Sequence, residues 1–145
     1  MRNRLAQRSP VALTGTGILV TSRPHRARTR WASCRFALHG LQDAWRTQPN
    51  IRLQVSCGLV IIALGVWCRL SLTEWLWVSF AIGVVLFAEL MNTGIEQTVD
   101  LVVGLRPDPL ARRVKDMSAG CVLVASVLAA VIGLLTFVPH LLMRD

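Results

Sequence analysis

Three long and mostly apolar segments, at about residues 53–70, 74–103 and 117–142, constrain this 145-residue sequence more than any other feature. An α-helix of about 20 apolar residues crosses the hydrocarbon core of a bilayer. Because no water is available there, a spanning segment must bond its own backbone N–H and C=O groups as a helix. Hydrophobic residues make up 53% of the chain, more than a soluble domain usually contains. The sequence therefore predicts an all-α membrane protein with three transmembrane helices.

The connections between these segments predict how the helices are arranged. The turn at residues 71–73 is short, so the second helix is expected to return antiparallel to the first. The second segment is apolar only to about Ala88, but its helical pattern continues to about Val103, a length of about 45 Å. Its end is therefore expected to project beyond the hydrocarbon core. Gly104–Pro109 ends this helix, and small residues at 118–120 allow close contact by the third.

The first 52 residues form a basic segment that contains ten arginines and one acid, Asp43. Residues 1–30 are expected to be a poorly ordered basic extension. Between residues 31 and 48, apolar side chains recur every three or four positions, which predicts an amphipathic helix on the membrane surface that ends at Pro49. An ordinary helix packed on a partner is the other interpretation. The apolar face consists of Trp31, Cys34, Leu38, Leu41 and Trp45.

The distribution of arginine and lysine predicts the orientation in the membrane. Short loops rich in these residues stay in the cytoplasm. The basic N-terminal segment and the loop before the third span share one side, so we expect a multi-pass protein of the inner (plasma) membrane whose polar residues face the cytoplasm. Anionic lipid headgroups account for the arginines. No nucleic-acid-binding fold is indicated, and no nucleic acid partner is expected.

A polar stripe interrupts the second span. Glu89, Asn92, Glu96 and Asp100 fall at about 0°, 300°, 340° and 20° around a helix, so they share a face about 80° wide. An ionisable residue at membrane depth is costly, which makes Glu89 a functional candidate by default. A structural acid neutralised by an arginine or another helix is the alternative for Glu89. A solvated acidic face is the alternative for Glu96 and Asp100.

Two kinds of chemistry are available to this stripe. Oxygen ligands on one side of a helix suit Mg²⁺, which binds them together with substrate phosphates. A carboxylate in apolar surroundings can act as a base, while one nearer to water stays ionised. The following loop can neutralise a polyphosphate through Arg112, Arg113 and Lys115, and its Asp116 can bind metal or hold Lys115. A plain charged cytoplasmic loop is the alternative interpretation of residues 112–116. Together, the acids of the stripe and the cations of the loop indicate phosphoryl transfer to a lipid hydroxyl.

Two functions of other classes compete with this interpretation. A small proton-coupled transporter would use Glu89 to bind and release a proton. That function gives no reason for Glu96, Asp100 or the Lys115–Asp116 pair at the cytoplasmic edge. A structural membrane subunit leaves the whole stripe without a role. The kinase interpretation accounts for most of these residues.

The same residues resemble a known family. The run ELMNTGIEQTVD from Glu89 to Asp100, followed by DPLARRVKDMSAG from Asp108 to Gly120, is similar to the small integral-membrane diacylglycerol kinases and undecaprenol kinases of bacteria. The resemblance covers about residues 36–142 and marks residues 31–145 as a membrane lipid kinase domain. It implies a homotrimeric helical bundle with three transmembrane helices and one surface helix per subunit. It also implies active sites shared between neighbouring subunits.

The resemblance implies roles for the stripe. Glu89 looks like the catalytic base on the lipid hydroxyl, Asn92 like its polar partner, and Glu96 like a ligand of Mg²⁺. Some members carry an acid on the surface helix that helps to hold the metal, and the matching residue here is Gln48. Gln54 replaces another acid of the family. Because glutamine ligates only through a neutral carbonyl oxygen, a site completed by Gln48 is expected to be weaker.

The remaining roles concern the two substrates. The ATP phosphates are expected to contact Lys115, with Asp116, Asp100 and the Gln48 position in support, and Arg112 is added on its charge. The acceptor is a lipid alcohol. The loop at residues 108–116 resembles the undecaprenol kinase branch, but nothing in the spans separates a polyprenol from a diacylglycerol, so both acceptors are retained.

Overall fold

The computed structural model describes residues 30–104 and 106–142, and this part of the chain contains four helices and no strand. They are α1 (Arg30–Thr47), α2 (Pro49–Cys68), α3 (Leu72–Val103) and α4 (Pro109–Leu142). By length and composition, α2, α3 and α4 can each cross a membrane. The prediction of three spanning helices is therefore confirmed at this level. The predicted basic extension falls almost entirely on residues 1–29, which lie outside the described residues.

The helix ends follow local sequence signals. Gln48, the single residue between α1 and α2, has an extended backbone, and Pro49 occupies the first turn of α2, where its missing N–H needs no partner. At the other end of α2, Arg69 adopts the left-handed conformation (φ 56°). Ser71 then caps α3, with a reciprocal capping box formed with Glu74.

The helix of the third span begins earlier than the predicted span, because α4 starts at Pro109, eight residues before Met117. Asp108 explains the difference: its Oδ1 accepts from the backbone N–H of Leu110 at 2.7 Å and of Ala111 at 3.0 Å. Such a side chain satisfies N–H groups that a helix start leaves unpaired. The residues predicted to lie in a charged loop, 112–116, therefore belong to the first turns of a helix.

Packing within one chain is centred on α3 and α4, which form the most extensive helix contact. A small apolar core consists of Leu70, Val78 and Phe137, near the end of the bundle opposite the polar stripe. Many other large apolar side chains on α2, α3 and α4 are exposed in the single chain. In a membrane-spanning protein such surfaces face lipid or another subunit, because lipid tails are as apolar as the side chains.

Candidate functional site

The polar stripe runs from buried to exposed along α3. Glu89 and Asn92 are 4% and 7% exposed, Glu96 is half-buried and Asp100 is exposed. Glu89 lies about 26 Å along the helix from Leu72 by the α-helical rise, close to the thickness of a hydrocarbon core. The stripe therefore begins where α3 is expected to leave the apolar part of a bilayer.

Glu89 is held by a residue of another helix. The side-chain amide of Gln54 on α2 donates from Nε2 to Glu89 Oε2 at 3.1 Å. The other amide atom, Gln54 Oε1, is buried and has no hydrogen-bond partner in the described part of the chain. A buried carbonyl without a partner is costly, so Oε1 is suited to accept a hydrogen bond from a hydroxyl group. The sequence had marked Gln54 only as a lost acid; its contact with Glu89 needed the tertiary structure.

An apolar cavity extends from this pair. It has a volume of about 390 Å³ and lies between α2, α3 and α4, with Gln54 and Leu86 towards the Glu89 end and Val78 and Phe137 deeper in the bundle. Apolar pockets of this size accommodate hydrocarbon groups. The cavity thus places an apolar space beside the Gln54–Glu89 pair.

Asn92 joins Glu96 to α4. Its Nδ2 donates to Glu96 Oε1 at 3.1 Å, and its Oδ1 accepts from the Ser118 hydroxyl at 2.6 Å. Ser118 is 6% exposed, and its hydroxyl also lies 2.9 Å from the backbone oxygen of Lys115. The sequence alone indicates Ser118 only as a small residue that lets helices approach. Its helical offset from Lys115 was the available signal, since three residues place the two on one side of α4.

The charged residues of α4 lie at the exposed end of the stripe. Lys115 Nζ contacts Asp100 Oδ1 at 2.5 Å, which joins the start of α4 to the last turn of α3. Arg112 Nε lies 3.8 Å from Asp116 Oδ2, with both side chains mostly exposed. Exposed pairs of this kind add little to stability and are easily exchanged for a ligand. Both cations are therefore accessible to an anion from the solvent.

The structure does not join every predicted residue. Gln48 is half-buried between α1 and α2, and no hydrogen bond links its side chain to Glu96 within residues 30–104 and 106–142. In the same residues, no three His, Cys, Asp or Glu side chains converge as a ready-made metal site. The shared ligation of Mg²⁺ by Gln48 and Glu96 therefore stays a prediction.

Comparison with known proteins places this arrangement in a family. A family model described as prokaryotic diacylglycerol kinase matches residues 35–137. The chain is also 37% identical over 102 residues to an undecaprenol kinase of Bacillus subtilis. This match covers 70% of this chain and 82% of that protein. The chain belongs to the prokaryotic diacylglycerol kinase family.

A second relative carries the other name of the family. The chain is 34% identical over 110 residues to a diacylglycerol kinase of Synechocystis, a match that covers 76% of this chain and 63% of that protein. Membership in the prokaryotic diacylglycerol kinase family confirms the resemblance and the prediction of a lipid kinase integral to the membrane. The matched region contains every candidate site residue from Gln48 to Ser118.

Proposed function

We propose that this protein transfers the γ-phosphoryl group of ATP to the hydroxyl of a membrane lipid alcohol, either diacylglycerol or undecaprenol. The observation that carries this proposal is the buried Glu89 carboxylate, held by Gln54 at one end of an apolar cavity. A hydrocarbon chain in the cavity brings a lipid hydroxyl to the one buried carboxylate among the described residues. This arrangement supports a lipid acceptor over a soluble one.

In the proposed reaction Glu89 is the general base. Its carboxylate takes the proton of the lipid hydroxyl while the hydroxyl oxygen forms a bond to the γ-phosphorus of ATP. The bond between that phosphorus and the β,γ-bridging oxygen breaks, and ADP leaves with the electron pair. Glu89 then returns the proton to solvent. General-base catalysis contributes about 10²–10⁴-fold to such a rate.

The nucleotide belongs at the exposed end of the stripe. Lys115 and Arg112 carry the positive charge that a polyphosphate requires, and their present partners are exposed carboxylates that a nucleotide can replace. Before the nucleotide binds, Asp116 and Asp100 hold these two cations at the exposed end of the stripe. Positioning and charge neutralisation are the main tasks in phosphoryl transfer, because the protein forms no covalent bond to the phosphoryl group.

The half-buried Glu96 carboxylate fits a magnesium ligand. Asn92 occupies its Oε1, and among the described residues no hydrogen bond reaches its Oε2. One or two carboxylates with substrate phosphates are the usual protein contribution to Mg²⁺, and Gln48 would be the neutral second ligand. When bound, the ion would neutralise charge on the transferred group.

The setting of the reaction is part of the proposal. The arginines of α1 and of the α3–α4 connection favour a cytoplasmic site at the inner membrane, where ATP is found. The spacing of apolar residues in α1 favours an amphipathic helix on the membrane surface. The family resemblance favours a homotrimer in which neighbouring subunits share the active sites. The apolar surfaces exposed on a single chain can face those neighbours as well as lipid.

Transfer of labelled phosphate from ATP tests the proposal. The purified protein is offered undecaprenol and diacylglycerol side by side in mixed micelles with Mg²⁺. We expect labelled lipid with at least one acceptor, and the favoured acceptor names the substrate. Absence of transfer to both lipids, in protein shown to be folded and oligomeric, would overturn the proposed function and leave the family relationship as one of fold.

A further inference from the structure

A buried hydroxyl group on α4 stabilises the orientation of the Asn92 amide that Glu96 requires. Ser118 Oγ lies 2.6 Å from Asn92 Oδ1, and Asn92 Nδ2 lies 3.1 Å from Glu96 Oε1. An ionised carboxylate only accepts hydrogen bonds, so Glu96 requires the NH₂ side of the amide. Asn92 Oδ1 must then face α4, where it needs a donor. The only side-chain donor that reaches it among the described residues is the Ser118 hydroxyl.

The opposite orientation of the amide is unfavourable at the Glu96 end. It would place Asn92 Oδ1 against the Glu96 carboxylate, where two acceptors repel each other. Burial raises the cost, because Asn92 and Ser118 are 7% and 6% exposed and water cannot easily supply a replacement partner. The three side chains therefore form a directed chain in which Ser118 donates to Asn92 and Asn92 donates to Glu96.

Ser118 has one hydrogen and two acceptors within reach. Besides Asn92 Oδ1 at 2.6 Å, the backbone oxygen of Lys115 lies at 2.9 Å on the same helix. A hydroxyl that turned to Lys115 would leave Asn92 Oδ1 unpaired, and the shorter distance favours the interhelical bond. Ser118 therefore connects α4 to Glu96 on α3 through Asn92. It lies one helical turn from Lys115, the residue proposed to contact ATP.

We propose that Ser118 is a positioning residue for the metal-binding carboxylate. It holds Asn92 so that Asn92 occupies Glu96 Oε1 and leaves Oε2 directed to a divalent cation. This inference rests on the proposed role of Glu96 and adds a residue to which the sequence motif gave no chemistry. Ser118 acts only through Asn92 and touches neither substrate.

Mn²⁺ binding, measured by electron paramagnetic resonance on the full-length protein in micelles, tests this role without turnover. A neutral hydrogen bond contributes about 0.5–1.5 kcal/mol, which corresponds to a change of about 2–10-fold in an equilibrium constant. We expect Ser118→Ala to raise the Mn²⁺ dissociation constant by about that factor, with kcat at saturating metal within about twofold of the wild type. Ser56→Ala is the matched control, since it removes an exposed hydroxyl bonded to the Arg52 carbonyl, and it should leave Mn²⁺ binding unchanged.

A double substitution separates positioning from a general effect on packing. If Ser118 acts through Asn92, Ser118→Ala should have no further effect on Mn²⁺ affinity in an Asn92→Ala background. Additive losses in the double variant, or an unchanged Mn²⁺ dissociation constant in Ser118→Ala alone, would overturn the proposal.

A spectroscopic measurement tests the contact without any metal. The chain contains three asparagines, at positions 3, 50 and 92, so ¹⁵N-asparagine labelling gives three side-chain NH₂ signals, and Asn92→Ala identifies one of them. Ser118→Ala should shift the Asn92 signal and speed its hydrogen exchange, while Ser56→Ala should change neither. An unchanged Asn92 signal in Ser118→Ala overturns the inference, whether or not Mn²⁺ binding changes. A shifted signal in a protein that binds no Mn²⁺ would instead count against the metal role of Glu96.

Discussion

Gln54 on α2 donates a hydrogen bond from its side-chain amide to the buried carboxylate of Glu89 on α3, at 3.1 Å. The two residues are 35 positions apart in the sequence. The bond satisfies one oxygen of a carboxylate that is 4% exposed, and a buried charge without such a donor is costly. It also fixes the carboxylate next to the apolar cavity, so the placement of the proposed base depends on both helices.

Glu89→Gln is expected to abolish nearly all phosphoryl transfer. The substitution keeps the size of the side chain but removes the group that accepts the proton, so we expect turnover to fall by at least about 10²-fold. Labelled lipid is measured at saturating ATP, and nucleotide binding is measured in parallel. Binding should persist, because Glu89 lies in the buried part of the stripe. Equal loss of binding and turnover would assign Glu89 a structural role.

Gln54→Leu is expected to weaken both the site and the fold. It removes the donor to Glu89 and leaves a buried carboxylate oxygen unpaired, at a cost of about 1–3 kcal/mol in the free energy of unfolding. We also expect a higher KM for the lipid alcohol with little change in the KM for ATP, since Gln54 borders the cavity rather than the charged end. Gln97→Leu removes an exposed amide from α3 and serves as the control. A rise in the KM for ATP alone would contradict this assignment.

Glu96→Gln is expected to raise the Mg²⁺ requirement. The substitution exchanges a charged oxygen ligand for a neutral one, which Mg²⁺ binds less well, and the NH₂ group of the new side chain can also face Asn92 Nδ2 unfavourably. A titration of activity with Mg²⁺ should shift to higher concentration, and excess Mg²⁺ should restore part of the turnover. An unchanged titration would remove Glu96 from the metal site.

Lys115→Met is expected to raise the KM for ATP by about tenfold or more, because a charge-assisted hydrogen bond to phosphate is lost. Loss of the salt bridge between Lys115 and Asp100 should not destabilise the protein enough to explain such a rise in KM. The two side chains are 35% and 62% exposed, so Asp100→Asn should change the free energy of unfolding by less than about 1 kcal/mol. Kinetics at varied ATP and denaturation in detergent measure the two effects. An unaltered KM for ATP in Lys115→Met would contradict the nucleotide assignment.

Glu74→Ala is expected to lower the thermal unfolding temperature while sparing the chemistry. Glu74 accepts from the backbone N–H and the hydroxyl of Ser71, both at 2.7 Å, and lies 2.8 Å from His140 Nε2 on α4. One substitution thus removes the reciprocal half of a capping box and a contact between α3 and α4. His140→Ala should lower the unfolding temperature less, since the capping box survives. A large loss of turnover in Glu74→Ala at temperatures where the variant is still folded would instead give this end of the bundle a role in catalysis.

Most of the fold could be predicted because its signals are local. Apolar length predicts spanning helices, and Pro49, Ser71 and Gly104 mark helix ends through properties of their own backbone or side chain. The sequence does not predict the start of α4, because Asp108 and Pro109 follow Gly104 in a segment that is typical of a helix break. Both residue types also begin helices, and only the hydrogen bonds of Asp108 show which role applies.

Helical periodicity places Glu89, Asn92, Glu96 and Asp100 on one face whatever surrounds them, so this stripe could be predicted from the sequence. The groups that complete that face depend on how the helices pack. Gln54 and Ser118 reach it from α2 and α4, and the partner of an interhelical hydrogen bond depends on helix register, which no local pattern encodes. Burial also follows from packing: α4 encloses Asn92 and leaves Asp100 exposed, although the two residues lie on the same stripe.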